Sequence, residues 1–160
     1  MIVSFTPAIL ARIFICSLAL ILSLHVAYAD EVSNYVKDGA VIGGVDPVGY
    51  FVEMRPVPGD PLYAIEWNGA TWRFSSAGNR DAFVANPAMF APQYGGFCAL
   101  AMSYGKKLPI NPEAFKIVDG KLYLNASKEA QTEFEKDELG TIARANAQWK
   151  NVEHIAADKL

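Results

Sequence analysis

The sequence predicts an α+β fold, two short antiparallel β-hairpins packed with three to four helices. Three observations predict it. Residues 62–75 (LYAIEWNGATWRFS) carry two alternating runs on either side of Asn68-Gly69. Residues 115–125 (FKIVDGKLYLN) repeat the pattern around Asp119-Gly120. Such dipeptides suit a two-residue type I′ turn, because both residues tolerate positive φ. Third, helical stretches follow each hairpin, and this alternation of small sheets with helices is the α+β arrangement.

In chain order, residues 1–29 read as a secretory signal. Arg12 precedes an apolar run at 13–26 (IFICSLALILSLHV), about the length of a signal h-region and short for a bilayer span. Ala27-Tyr28-Ala29 supplies small residues at both positions of an A-x-A cleavage site, with Asp30 as the mature N-terminus. The alternative is an uncleaved anchor, although no positive flank follows the run. Cleavage near Ala29 implies a periplasmic or secreted protein that meets the membrane only during export. Cys16 and His25 leave with the signal, so the mature chain keeps one thiol, Cys98, and one imidazole, His154. An intramolecular disulfide and a zinc site built from Cys and His of one chain are thereby excluded.

The whole chain has 160 residues, which fits one domain and rules out a two-domain cofactor enzyme. Removing Arg12 from 14 basic residues against 17 acidic ones leaves a charge of −4, so there is no basic footprint for nucleic acid. With 52% hydrophobic and 19% charged residues the chain is no disordered tail. Its stability must come from a packed core.

Residues 30–37 are polar and read as an N-terminal arm, with the domain proper at 38–152. Residues 40–51 read as a short strand, a tight turn and an extended segment bent at Asp46-Pro47. Prolines and Gly59 make 52–61 a loop. In the first hairpin Tyr63, Ile65 and Trp67 share one face, as do Trp72 and Phe74. Ser76 caps a helix to about Asn86, with Phe83 inward and Asn86-Pro87 ending it. The apolar run 97–104 fits a strand or a helix. Ala99, Ala101 and Met102 favour a short buried helix ended by Gly105. Residues 106–112 form a loop with Lys106-Lys107 at a solvated tip. Residues 127–138 make an amphipathic helix with Phe134 inward, broken at Gly140. A last helix at 141–152 puts Ile142, Ala145 and Trp149 on one stripe, and 153–160 is a tail. A hairpin followed by a helix, twice over, suggests a pseudo-duplication, but residue identity between the two halves is poor.

From Asp38 to about Trp149 the chain resembles the YHS domain family in its secreted stand-alone form. The carrying residues are Asp46-Pro47-Val48-Gly49-Tyr50-Phe51, the stretch 67–76 (WNGATWRFSS), Arg80-Asp81-Ala82-Phe83 and Asn86-Pro87. Tyr94-Gly95-Gly96-Phe97-Cys98-Ala99 and the stretch 118–125 (VDGKLYLN) complete it. The resemblance implies a metal-associated binding domain. Metal-type members look like D-P-V-C near the start and F-C-S-x-x-C after the hairpin. Here Gly49, Ser75 and Asn79 stand where the three cysteines would fall, so the soft thiolate cage is missing. The resemblance therefore transfers a fold more safely than a role.

The sharpest chemical pair is Cys98 with Met102. On a helix i and i+4 share a face, and a thiolate with a thioether suits Cu(I). Met54 and Met89 would add sulfur if the fold brings them near. The same residues also read as a small buried hydrophobe and a core filler. A Cys98/His154 thiol enzyme needs an imidazole within hydrogen-bond reach, and nothing in the sequence places His154 there. Asp46, Asp60 and Glu53 are candidates for a hard-metal site or an acid–base pair, with Asp46 equally placed to cap a turn. The aromatic residues fit a ligand pocket or a core. Asn125-Ala126-Ser127 matches a glycosylation triplet. Two functions stay open: soft-metal (copper) handling through Cys98, with Met102 as the second sulfur, and a metal-free accessory module. The second would use the hairpin and the surface of residues 95–97 to hold a small ligand or protein partner. An enzyme ranks last, since no nucleophile and base pair is legible.

Overall fold

The computed structural model describes residues 33–160, so the signal segment, Cys16, His25 and the cleavage position lie outside the described residues. The fold is α+β, with six helices and three antiparallel two-stranded sheets among those residues. β1 (Val36–Lys37) pairs with β2 (Ala40–Val41), and a left-handed turn, Ile42–Gly44, leads to the single-turn helix α1 (Gly49–Val52). β3 (Asp60–Trp67) and β4 (Ala70–Phe74) form the second hairpin, followed by α2 (Ala77–Ala85) and α3 (Pro87–Phe90). A second left-handed turn, Gln93–Gly96, leads to α4 (Ala99–Met102). β5 (Asn111–Val118) and β6 (Lys121–Asn125) form the third hairpin, then α5 (Lys128–Glu135) and α6 (Glu138–Val152) close the chain. No helix among the described residues is long and apolar enough to cross a membrane.

The turn chemistry behaves as the dipeptides require. Asn68 and Gly69 have φ of 50° and 69°, and Asp119 and Gly120 have 49° and 71°. Asp38-Gly39, at 54° and 72°, makes a third such turn. That turn draws residues 33–37, expected as an arm, into the folded body. Asn34 is buried there, and Tyr35 N–H donates to the Gly95 carbonyl at 2.8 Å. The approach is close enough that a Cβ on Gly95 would lie 1.8 Å from the Ser33 carbonyl oxygen.

Four further expectations change. Residues 49–52, expected to be extended, coil into α1 because Asp46 supplies the acceptor that its first N–H groups need. The third hairpin starts at Asn111, inside the expected loop. Gly140 breaks nothing. The interruption lies at Asp137, whose carboxylate accepts from Gly140 N–H at 3.1 Å and caps α6. Gly140 sits where any Cβ would strike that carboxylate. Finally, Lys107 is no solvated tip. It is 3% exposed, its Nζ donates to the carbonyls of Glu153 and Ile155 at 2.9 and 2.7 Å, and it stands over the rings of Phe97 and Trp149.

The structure also carries the duplication that residue identity hides. Ile42 and Tyr94, which open the two left-handed turns, are 52 positions apart, as are Asp46 and Cys98. Past one loop deletion the offset becomes 51. It relates Asn68 to Asp119, the caps Ser76 and Ser127, the fully buried Phe83 and Phe134, and the caps Asn86 and Asp137. Each half is therefore a turn, a one-turn helix, a hairpin, a serine cap and a helix. β6 sits between two cores. Its Leu122 and Leu124 join Tyr50, Trp72, Phe74 and Phe83, and Tyr123 on the opposite face joins Tyr94, Met102, Phe134 and Ala145.

Lys107 gives the fold a pH dependence. Burial lowers its ammonium to about 8 from 10.5, against the Glu153 carboxylate, which pulls it upward. Between those values the unfolded chain holds a proton that the folded chain has lost, so stability rises with pH. Burial raises Tyr35, Tyr50, Tyr94 and Tyr123, so their opposing effect sets in above about pH 9, as unfolded tyrosine begins to ionise. The urea midpoint should therefore climb between about pH 7.5 and 9 and stay flat over that range in Lys107→Met. A climb that survives the substitution would assign the effect elsewhere.

Candidate functional site

The three positions at which the resemblance places cysteines, Gly49 and the distant pair Ser75 and Asn79, meet at one carboxylate. Asp46 is fully buried, and its carboxylate is surrounded by donors. Its Oδ1 accepts from the backbone N–H groups of Val48 and Gly49 at 2.9 and 3.3 Å. Its Oδ2 accepts from Ser75 N–H at 2.9 Å, from the Ser75 hydroxyl at 2.7 Å and from Asn79 Nδ2 at 2.7 Å. A buried carboxylate is tolerated when hydrogen bonds replace its lost hydration, and five donors do so here. The place a thiolate cage would take is thus closed by a polar knot. It ties α1 to the junction between β4 and α2.

Cys98 occupies the equivalent place in the second half. It precedes α4, and its Sγ accepts from Ala101 N–H at 3.5 Å and from Ala126 N–H at 3.2 Å. Ala126 precedes the cap Ser127 just as Ser75 precedes Ser76. The thiol also lies 3.9 Å from Asn125 Oδ1, which takes a second bond from Leu100 N–H at 3.2 Å. Cys98 is 1% exposed, and its sulfur serves as the second knot, tying α4 to the junction between β6 and α5. Asn125 is itself fully buried, which removes the acceptor of the glycosylation triplet from solvent.

The other expected site residues are scattered. Met102 is fully buried, one turn beyond Cys98, and its N–H donates to the Cys98 carbonyl at 2.9 Å. Met54 and Met89 are 64% and 50% exposed, so they do not join those buried sulfurs. His154 is exposed in the turn after α6, and the thiol's hydrogen bonds go to none of its atoms. Asp60 accepts from Leu62 N–H, Glu53 faces Arg55 at 3.7 Å in solvent, and neither joins Asp46. No group of three or more His, Cys, Asp or Glu fit to hold a metal ion exists among the described residues.

What the fold does assemble is a groove of about 360 Å³ that sequence reasoning placed only in outline. Trp67, Trp72 and Trp149, all three tryptophans of the chain, line it together with Asn68, Gly95 and Glu153. The tip of the second hairpin forms one wall, and the start of α6's last turns forms another. Trp67 and Trp72 meet edge to face at 5.4 Å and both pack on Phe83, which holds the hairpin wall in place. Trp72 Nε1 donates to the Trp67 carbonyl at 2.9 Å. The alternation along 62–75 announced those indoles, but only the packing of α6 brings Trp149 to them.

The Asp46 knot yields a direct test. Asp46→Ala strands buried donors at Val48, Ser75 and Asn79, and the stability loss should be about 3–5 kcal/mol by urea unfolding. A loss below about 1 kcal/mol would mean the carboxylate is dispensable. Comparison with family models, with curated proteins and with solved structures finds nothing that matches this chain.

Proposed function

We propose that this chain is an exported, non-catalytic binding module of the YHS type that works without metal. In this reading the tryptophan-lined groove takes a small ligand with a flat apolar face. One observation carries the metal-free part. Cys98 stands at the place of Asp46 in the duplicated plan, and its sulfur already receives two backbone N–H groups in a sealed setting. A copper ion would have to displace both bonds and open the core. The convergence of Gly49, Ser75 and Asn79 on Asp46 supports the family resemblance, since a shared cage requires those positions to be neighbours. The groove's size is that of a small-molecule site, and indoles offer flat apolar area at low entropic cost.

The competing copper reading is tested at the same sulfur. Cu(I) offered against bathocuproine disulfonate should stay with the chelator. A thiol reagent should label Cys98 only after denaturant is added. Cys98→Ala should lower stability by about 1–3 kcal/mol, as expected for buried N–H groups left unpaired. Copper drawn from the chelator by the native protein, and lost in Cys98→Ala, would reverse the assignment. For the groove, quinoline added to labelled protein should shift the indole signals of Trp67 and Trp149 saturably. Trp67→Ala should abolish the response. Shifts confined to other residues would place binding elsewhere.

A further inference from the structure

β4 alternates, so Arg73 leaves the strand on the face opposite its buried neighbours Trp72 and Phe74. Its guanidinium is poorly served there. Nη2 donates to the Asp38 carbonyl at 3.3 Å, a long bond, and Nε is buried with no hydrogen-bond partner. No carboxylate lies within ion-pair distance of it among the described residues. A donor withdrawn from water and left unmet is uncommon enough in folded proteins to need a reason.

Arg73 borders a cleft of about 450 Å³, in the range of small-molecule sites. Gly43, Gly44 and Gly59 form part of its lining, and Pro56, Pro58 and Pro112 contribute apolar wall. The room is made by the lack of a side chain at 44. A Cβ there would lie 3.1 Å from both Cδ and Nη1 of Arg73. Glu113, exposed at the rim, is the one acidic side chain that lines the cleft.

We propose that this cleft binds a small monocarboxylate with an apolar body, its carboxylate held by Arg73. The planar fork of arginine matches a carboxylate through two parallel bonds, and an incoming negative charge compensates a cation that has no ion-pair partner among the described residues. The prolines supply the apolar contact. Glu113 opposes any anion, and inorganic phosphate lacks the apolar body that the prolines would contact, so a monocarboxylate with such a body is favoured over it.

Benzoate is the probe, with benzamide as its uncharged counterpart and inorganic phosphate as the dianion, followed through backbone amide signals of labelled protein. Benzoate should shift Gly43, Gly44 and Gly59 saturably, with benzamide silent and phosphate weaker. Arg73→Lys keeps the charge and loses the fork, and should weaken benzoate by about tenfold. Glu113→Gln should tighten it by about two- to threefold through removal of a like charge. This second variant alters an exposed side chain, so it decides the matter even if Arg73→Lys fails to fold. Equal binding of benzamide, phosphate binding as tight as benzoate, or unchanged affinity in Glu113→Gln would each overturn the proposal.

Discussion

Two buried acceptor side chains hold this fold together, the Asp46 carboxylate and the Cys98 sulfur. A two-stranded hairpin is marginal by itself, and a four-residue helix leaves nearly all its N–H groups without an intrahelical partner. Each acceptor meets both needs at once. It receives the first N–H groups of its own one-turn helix and a further N–H from the distant junction where a hairpin passes into a longer helix. Short elements that could not persist alone are thereby fastened in pairs, and the aromatic cores close around them.

The two knots differ in strength for chemical reasons. A carboxylate has two oxygens and takes five donors, including a hydroxyl and an amide. A thiol is a weak acceptor and holds two backbone groups at longer range. The same comparison bears on function. A lone cysteine among the described residues invites a reading as ligand or nucleophile. Its place in the duplicated plan instead makes it the counterpart of a residue whose task is to accept hydrogen bonds. β4 turns Arg73 toward the glycine-lined cleft on one face, while on the other Trp72 lies buried against Trp67 and Phe83.

Lys107 shows how a charge becomes part of a core. Its ammonium satisfies two carbonyls just past α6, where carbonyls lack intrahelical partners, and stands over two aromatic rings. Residues 153–155, expected as a loose tail, are fastened by it. The burial that lowers its proton affinity follows from the same placement.

Local signals were legible in the sequence wherever the physics is local. Asn68-Gly69 and Asp119-Gly120 specify turns because positive φ is a property of those residues themselves. Ser76 caps because its hydroxyl reaches an N–H three positions on, and Phe83 and Phe134 face inward because helical periodicity allows one apolar stripe. The chain alone thus determined the α+β class, the two main hairpins and the inward face of each long helix. Tertiary structure decided everything that needed a partner from afar. It coiled 49–52 around Asp46, buried Lys107, sealed Cys98 against Ala126 and gathered three tryptophans from two segments. It also left Arg73 facing a cleft without an ion-pair partner among the described residues. No spacing encodes these, because each depends on which side chain stands opposite once the hairpins have packed.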